Sequence, residues 1–234
     1  GTIDGAKMAF DLSGVDDTGL AALCAAFPGM TRLTIDRENK LTTLAPLASM
    51  KNLSHVSISA DGVSDFSPLS GLTGLTFLKA ESKKMTDVKW TSGLPRLTSF
   101  YISGGPNLTS LEGMPLLPEL TEAWITNASP RDLTPIVKAF PGIRTLNLHY
   151  CTIADLAPLA QASELVDLKL YGVKVKDFSP LAACPKLSKL MYYAAEGCDW
   201  STLGKLGQVT ELHGGLTKLS DISWVTEMPN LKFM

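Results

Sequence analysis

The sequence predicts an α/β fold: a right-handed solenoid with a curved, parallel β-sheet on its concave face and short helical turns on its convex face. The first observation behind this prediction is a Leu-x-x-Leu-x-Leu pattern that returns every 22 or 23 residues along nearly the whole chain. The second is an Asp-x-x-Pro-Leu string that recurs in the second half of the repeats. Because one strand and one helical turn cannot bury their own apolar face, each repeat must pack against its neighbours.

Each repeat opens with a short strand whose first, fourth and sixth residues are apolar. This alternation predicts that these residues face the core, and that the third and fifth residues face outward on the concave sheet. Since the repeats are nearly equal in length, equivalent residues of neighbouring strands should lie side by side, roughly 5 Å apart. The strands are predicted to start at Met30, Leu53, Leu75, Leu97, Leu120, Ile143, Leu165, Leu187, Val209 and Leu231.

The Asp-x-x-Pro-Leu string predicts a capped helical turn. Its Asp can accept the backbone N–H groups that are unpaired at the start of a short helix, and its Pro fits the first turn because it has no N–H to satisfy. The Leu that follows is expected to point into the core. Copies of the string begin at Asp65, Asp155 and Asp177, with a looser copy at Asp132.

The first 29 residues do not fit the repeat and are predicted to be an N-terminal cap. Residues 10–12 are expected to form its strand and residues 17–23 a capped helix. A solenoid needs such a segment because its first repeat would otherwise expose apolar core. Residues 30–234 are predicted to hold nine repeats and the start of a tenth strand.

The repeats resemble the internalin-like leucine-rich repeats of bacteria, in which an Ile-x-Asp-Leu-x-Pro-Leu string follows the strand. Residues 63–69 (Val-Ser-Asp-Phe-Ser-Pro-Leu) and 153–159 (Ile-Ala-Asp-Leu-Ala-Pro-Leu) carry the resemblance. The chain departs from the family at the ninth repeat position, where the family has Asn, so a less regular turn is expected after each strand. That position holds Asp61, Lys83, Gly105, Ala128, Cys151, Val173, Ala195 and Thr217.

Composition and motifs exclude several classes of function. The formal net charge is -2 and no run of Lys or Arg is present, so neither nucleic acid nor an anionic membrane is an expected partner. Polar residues interrupt every apolar stretch, so membrane insertion is not expected. The four cysteines have no zinc-site spacing and are expected to be small buried thiols. With no catalytic or phosphate-binding motif in the sequence, we expect no enzymatic activity, no metal and no cofactor.

Aromatic residues on the concave face are the best candidates for a binding site. Tyr101 and Trp124 occupy the fifth position of adjacent strands, with Phe77 placed diagonally one strand away. Such residues are enriched at binding hot spots. The alternative is that the rings only stabilise cross-strand pairs, each contributing roughly 0.2–1 kcal/mol. A second group lies at the seventh position, near the rim, and other fifth-position residues complete the candidate set. These further candidates are Lys79, Asn147, His149, Lys169, Tyr171 and Tyr193.

Three charged residues follow one another at the third position. Asp167, Lys189 and Glu211 alternate in sign on successive strands, and mutual ion pairing is favoured over a catalytic or ligand-reading role.

These observations favour a non-enzymatic module that binds another protein through its concave sheet. The internalin resemblance implies a secreted or cell-surface bacterial protein, with any signal peptide already removed. Two alternatives remain: an intracellular regulatory scaffold, which would place the chain in the cytoplasm, and the substrate-recognition arm of a larger enzyme. Stacked Tyr and Trp are also compatible with a glycan as the ligand.

Overall fold

The structure, a computed structural model, describes residues 9–193, 198–215 and 221–233. The first eight residues of the predicted cap, the ninth-position residues Ala195 and Thr217, and Met234 lie outside the described residues.

Ten parallel strands form one sheet in chain order, which confirms the predicted fold. The register pairs the third, fifth and seventh positions of each repeat with the same positions of the next, as the repeat alignment predicted. Beyond the tenth strand, Phe233 makes an isolated bridge to Glu211, at the start of the predicted last repeat. The strands are β1 (Ala9–Leu12), β2 (Arg32–Ile35), β3 (His55–Ser59), β4 (Phe77–Glu81), β5 (Ser99–Ser103), β6 (Glu122–Thr126), β7 (Thr145–His149), β8 (Asp167–Tyr171), β9 (Lys189–Tyr193) and β10 (Glu211–Gly215).

Short helices return the chain from each strand to the next. Two are α-helical: α1 (Asp17–Ala26), within the predicted cap, and α2 (Thr134–Ala139). The Asp16 carboxylate caps α1 by accepting a hydrogen bond from the Gly19 N–H at 2.8 Å. The other returns are 3-10 helices at Ala45–Ser49, Ser67–Leu69, Lys89–Gly93, Gly105–Asn107, Ala157–Gln161, Ser179–Ala183, Trp200–Lys205 and Ser223–Glu227.

The core is a single apolar layer between the sheet and these helices. The first, fourth and sixth strand residues are buried, as Leu53, Val56 and Ile58 illustrate. The Leu of the Asp-x-x-Pro-Leu string is also buried, for example Leu69 and Leu181. Cys24, Cys151 and Cys184 belong to the same layer, and burial raises the pKa of the Cys151 and Cys184 thiols to about 11. These thiols therefore act as small apolar side chains.

The predicted capping by aspartate is confirmed at each copy of the string. The carboxylate accepts a hydrogen bond from the backbone N–H two residues later, at 2.8 Å for Asp65, Asp132, Asp155 and Asp177. Asp221 makes the same 2.8 Å bond although no Pro follows it. The bond satisfies an N–H group at the start of the helix, so the Asp fixes where each return helix begins.

Acid should weaken the solenoid by protonating these caps. Hydrogen bonds from Ser67 hold the pKa of Asp65 below its usual 3.8, and bonds from Ser179 do the same for Asp177. A carboxyl whose pKa is lower in the folded chain stabilises it above pH 3.8, and this stabilisation is lost as the pH falls through the lowered value. We expect the melting temperature to drop between pH 4 and pH 2, and to drop less in a D65N/D177N variant. Scanning calorimetry checks this, and equal slopes for both proteins would contradict it.

Candidate binding surface on the concave sheet

Seven aromatic rings form a continuous row across the concave sheet, one from each strand from β3 to β9. Successive ring centroids are separated by 3.9, 5.2, 5.3, 5.3, 5.5 and 4.9 Å. We call this row the aromatic ladder; its members are His55, Phe77, Tyr101, Trp124, His149, Tyr171 and Tyr193.

The aromatic ladder runs diagonally over the sheet. Its rings occupy the third position in β3 and β4, the fifth in β5 and β6, and the seventh in β7, β8 and β9. It therefore starts near the beginning of the strands and finishes near their ends. Six steps between neighbouring strands make it roughly 30 Å long.

The structure joins the two aromatic groups that the sequence analysis treated separately. The indole of Trp124 contacts the imidazole of His149 at 5.3 Å, which connects the fifth-position pair to the rim group. His55 was not among the candidates, yet its ring stacks on Phe77 at 3.9 Å with an interplanar angle of 6°. His55 occupies the third strand position beside Phe77, and this was the signal that could have identified it.

Each ring of the aromatic ladder packs against the next one. Their centroid spacing matches the strand spacing, and the planes of neighbouring rings are inclined by 50° or less, so each ring turns a face toward its neighbour. All ladder rings are half-buried except that of Tyr171, which is 38% exposed.

Charges beside the aromatic ladder are paired within the chain. The Glu81 carboxylate lies 3.4 Å from the Lys79 ammonium and 3.3 Å from the Arg37 guanidinium, and accepts a hydrogen bond from the Ser59 hydroxyl at 2.5 Å. Burial alone would raise the pKa of Glu81, but these three partners outweigh it, and the pKa lies below its usual value. Glu81 is therefore a satisfied anion rather than a free acid.

The predicted row of charges at the third position is ion-paired, although not in one continuous series. Lys189 pairs across strands with Glu211 at 3.0 Å, whereas Asp167 pairs with Lys169 of its own strand at 3.4 Å.

Three rings of the aromatic ladder, those of Tyr101, His149 and His55, are uncharged at neutral pH. Burial and the nearby Glu122 carboxylate raise the pKa of Tyr101 to about 12. Burial lowers the pKa of His149 below 6.5, and the positive charge of Lys169 lowers it further. Burial and the positive charge of Arg32 likewise lower the pKa of His55. At pH 7 these three rings are thus neutral.

A hollow of about 490 Å³ lies over the middle of the aromatic ladder. Phe77, Tyr101, Trp124 and His149 line it together with Lys79 and Glu81, whose ion pair closes one side. The Trp124 Nε1–H donates a hydrogen bond to the Glu122 carboxylate at 3.1 Å, which fixes the indole beside the hollow.

Asn147 is the one candidate that the structure places below the surface. It is 0% exposed, and neither its Nδ2 nor its Oδ1 has a hydrogen-bond partner. As the fifth residue of the repeat that starts at Ile143, it faces the concave side, with Trp124 and Lys169 as its register neighbours. Lys79 and Lys169 remain partly exposed.

Tyr150 is a residue at this surface that the sequence analysis missed. It is 61% exposed and contacts Tyr171 edge-on, with the ring centroids 6.0 Å apart. Its φ of 52° is unusual for a bulky residue, but Asn127 and Gly172 also have a positive φ at the same position of the two neighbouring repeats, so it belongs to the turn that follows these strands. The residue follows the end of β7, where the alternation that identified the other candidates no longer applies.

The residues described contain neither a candidate metal-binding group nor a candidate membrane-spanning helix. No group of three or more His, Cys, Asp or Glu side chains there could hold a metal ion, and no helix there is long and apolar enough to cross a membrane.

Several solved structures share the fold. An internalin, InlF, from Listeria monocytogenes str. 4b F2365 superposes with a TM-score of 0.78 and 25% sequence identity, over 97% of this chain and 66% of that one. The leucine-rich-repeat protein LIC12759 of Leptospira interrogans has a TM-score of 0.74 at 15% identity, over 97% and 59% of the two chains. The chain thus spans slightly less than two thirds of either protein's structure.

A plant peptide hormone receptor, RGFR1, solved in complex with RGF2, has a TM-score of 0.61 at 14% identity, over 97% of this chain and 45% of the receptor. No protein-family model and no curated protein matches the sequence.

Proposed function

Since the chain is a leucine-rich-repeat solenoid of the internalin-like class, we propose that it is a non-enzymatic module that binds a protein partner through the aromatic ladder. The observation that carries this proposal is the continuous row of seven rings on a sheet face that no described element of the chain covers. Tyr and Trp combine a large apolar body with a polar tip, which makes them frequent anchors of protein interfaces.

The orientation of the rings favours a protein over a glycan. Sugars stack on the open faces of aromatic rings, but the faces in the aromatic ladder are turned toward neighbouring rings. The rings combine apolar bodies with polar groups, a composition that suits a polypeptide ligand.

The likeness to internalins further supports a secreted or cell-surface location, with the partner on another cell. Two alternatives are an intracellular scaffold and the substrate-recognition arm of an enzyme. Identification of the partner and of the full-length gene product distinguishes them from the proposed function.

Affinity capture tests the proposal. The purified chain is used as bait in extracts of the source organism and of host cells, next to a Y101A/W124A variant with the same circular dichroism spectrum. We expect a protein that wild type retains and the variant loses, and that binds directly once purified. Equal capture by both baits would contradict the role of the aromatic ladder. A glycan array that binds only the wild type would identify a sugar ligand instead.

A further inference from the structure

We propose that the aromatic ladder receives an extended, uncharged segment of the partner protein, and that Asn147 binds one peptide group of that segment. This inference rests on the proposed function and specifies the form of the ligand. It starts from the amide of Asn147, which is fully buried on the binding face and has no hydrogen-bond partner for either of its polar atoms.

An amide in this state requires an explanation. Buried polar groups are nearly always paired, because leaving one unpaired destabilises the folded chain. A carboxamide presents one acceptor and an N–H donor side by side. This arrangement is complementary to the N–H and C=O groups of a polypeptide backbone. A backbone segment lying across β7 would therefore satisfy both atoms of Asn147.

The position of Asn147 agrees with such a contact. Between β6 and β7 the aromatic ladder changes from the fifth to the seventh strand position, from Trp124 to His149. Asn147 holds the fifth position of β7 at this step, near the middle of the ladder. The side chains in position to cover it are Trp124, His149 and Lys169.

Access to the amide requires one of these covering side chains to move. Lys169 is the easiest to displace, since it is held by a single partly exposed ion pair with Asp167 at 3.4 Å, and such pairs contribute little. The stacked rings of Trp124 and His149 can then stay in place. We therefore expect the Lys169 side chain to turn aside when the segment binds.

The shape of the surface favours an extended segment over a broad contact. The aromatic ladder is one ring wide and roughly 30 Å long, which matches about nine residues of extended chain. The ion pair of Lys79 and Glu81 lies beside its rings on β4 and β5, and the ion pair of Lys189 and Glu211 lies at the start of β9 and β10, four residues before Tyr193. These charges already have partners, and Tyr101, His149 and His55 are neutral at pH 7, so a charged segment would find no unpaired counter-ion in these groups. The Lys169–Asp167 pair is partly exposed, so both groups stay in contact with solvent when Lys169 turns aside.

A library of random linear 12-residue peptides displayed on phage provides the probe. After selection on the wild-type chain, enriched peptides are synthesised and their Kd is measured by fluorescence anisotropy. The proteins compared are wild type, N147L, Y101A/W124A and H213A. His213 is the matched control, because it also holds a fifth strand position but lies on β10, beyond the aromatic ladder.

We expect the enriched peptides to have an uncharged central stretch. Their Kd should rise at least tenfold with N147L and with Y101A/W124A, and change less than twofold with H213A. The melting temperature of N147L should equal or exceed that of wild type, because leucine removes the unpaired amide without removing bulk. A structural role for Asn147 would lower it, and that result would overturn the inference.

Other outcomes separate this inference from the proposed function. Peptides that bind N147L as well as wild type would overturn it. A folded protein captured through Tyr101 and Trp124, with no linear peptide enriched, would also overturn it but leave the proposed function intact. If neither peptide binding nor protein binding depends on the aromatic ladder, both this inference and the proposed function fail.

Discussion

Alanine at both Tyr101 and Trp124 is expected to weaken binding of the protein partner at least a hundredfold while leaving the chain folded. Truncation of a hot-spot aromatic typically costs 2 kcal/mol or more, and each 1.4 kcal/mol is a tenfold change in Kd. The two rings lie at the centre of the aromatic ladder and stack on each other at 5.3 Å. Their removal divides the ladder into two short pieces.

The fold should survive because both side chains lie on the solvent side of the sheet, opposite the core. Three ring contacts are lost, to Phe77, between the two rings and to His149, at about 0.5–1.5 kcal/mol each. Isothermal titration calorimetry gives the Kd, and urea unfolding gives the stability. L116A is the control, since Leu116 is an apolar side chain 62% exposed outside the sheet. A loss of less than tenfold would contradict the hot-spot assignment.

Alanine at Gly93 is expected to lower the free energy of unfolding by about 3 kcal/mol. Gly93 ends the Lys89–Gly93 helix, and a Cβ atom placed on it would lie 1.6 Å from the carbonyl oxygen of Ser70 and 2.7 Å from its carbonyl carbon. Both atoms belong to the backbone, so no side-chain rotation relieves the overlap. The helical segments that follow the strands in these two neighbouring repeats must move apart instead.

Urea unfolding followed by circular dichroism measures this effect as a lower midpoint with an unchanged slope. Gly29 supplies the control, because a Cβ atom there would meet nothing within 4 Å. We expect G29A to stay within about 0.5 kcal/mol of wild type. Equal stabilities for G93A and G29A would show that the repeats do not pack this closely.

The strands and their register could be predicted because two periods act together. Alternation along a strand decides which residues face outward, and the 22- or 23-residue repeat decides which of them become neighbours. This was sufficient to place Tyr101 beside Trp124 and Tyr171 beside Tyr193, as the structure does. The capping role of Asp65 was equally predictable, because its hydrogen bond lies within three consecutive residues.

Contacts between residues at different strand positions, such as the fifth and the seventh, could not be predicted in the same way. Whether Trp124 reaches His149 depends on side-chain length and direction, since diagonal neighbours on a sheet are about 7–8 Å apart. The burial of Asn147 likewise depends on the bulk of the residues around it, and not on its place in the alternation. The exposure of Tyr150 could not be predicted from the alternation, because the residue lies in the turn after β7 and not in the strand.

Each repeat from β3 to β9 contributes one ring to the aromatic ladder, so the number of such repeats encoded in the gene determines the length of the ladder. In-frame duplication of a repeat that carries a ring would add one rung and one strand without disturbing the core, because each repeat packs only on its neighbours. If the repeat that contains β6 were deleted, β5 would pair directly with β7. Tyr101 would then lie beside Asn147, and the aromatic ladder would be interrupted. Recombination between repeats can therefore alter what the surface recognises in discrete steps while the fold is kept.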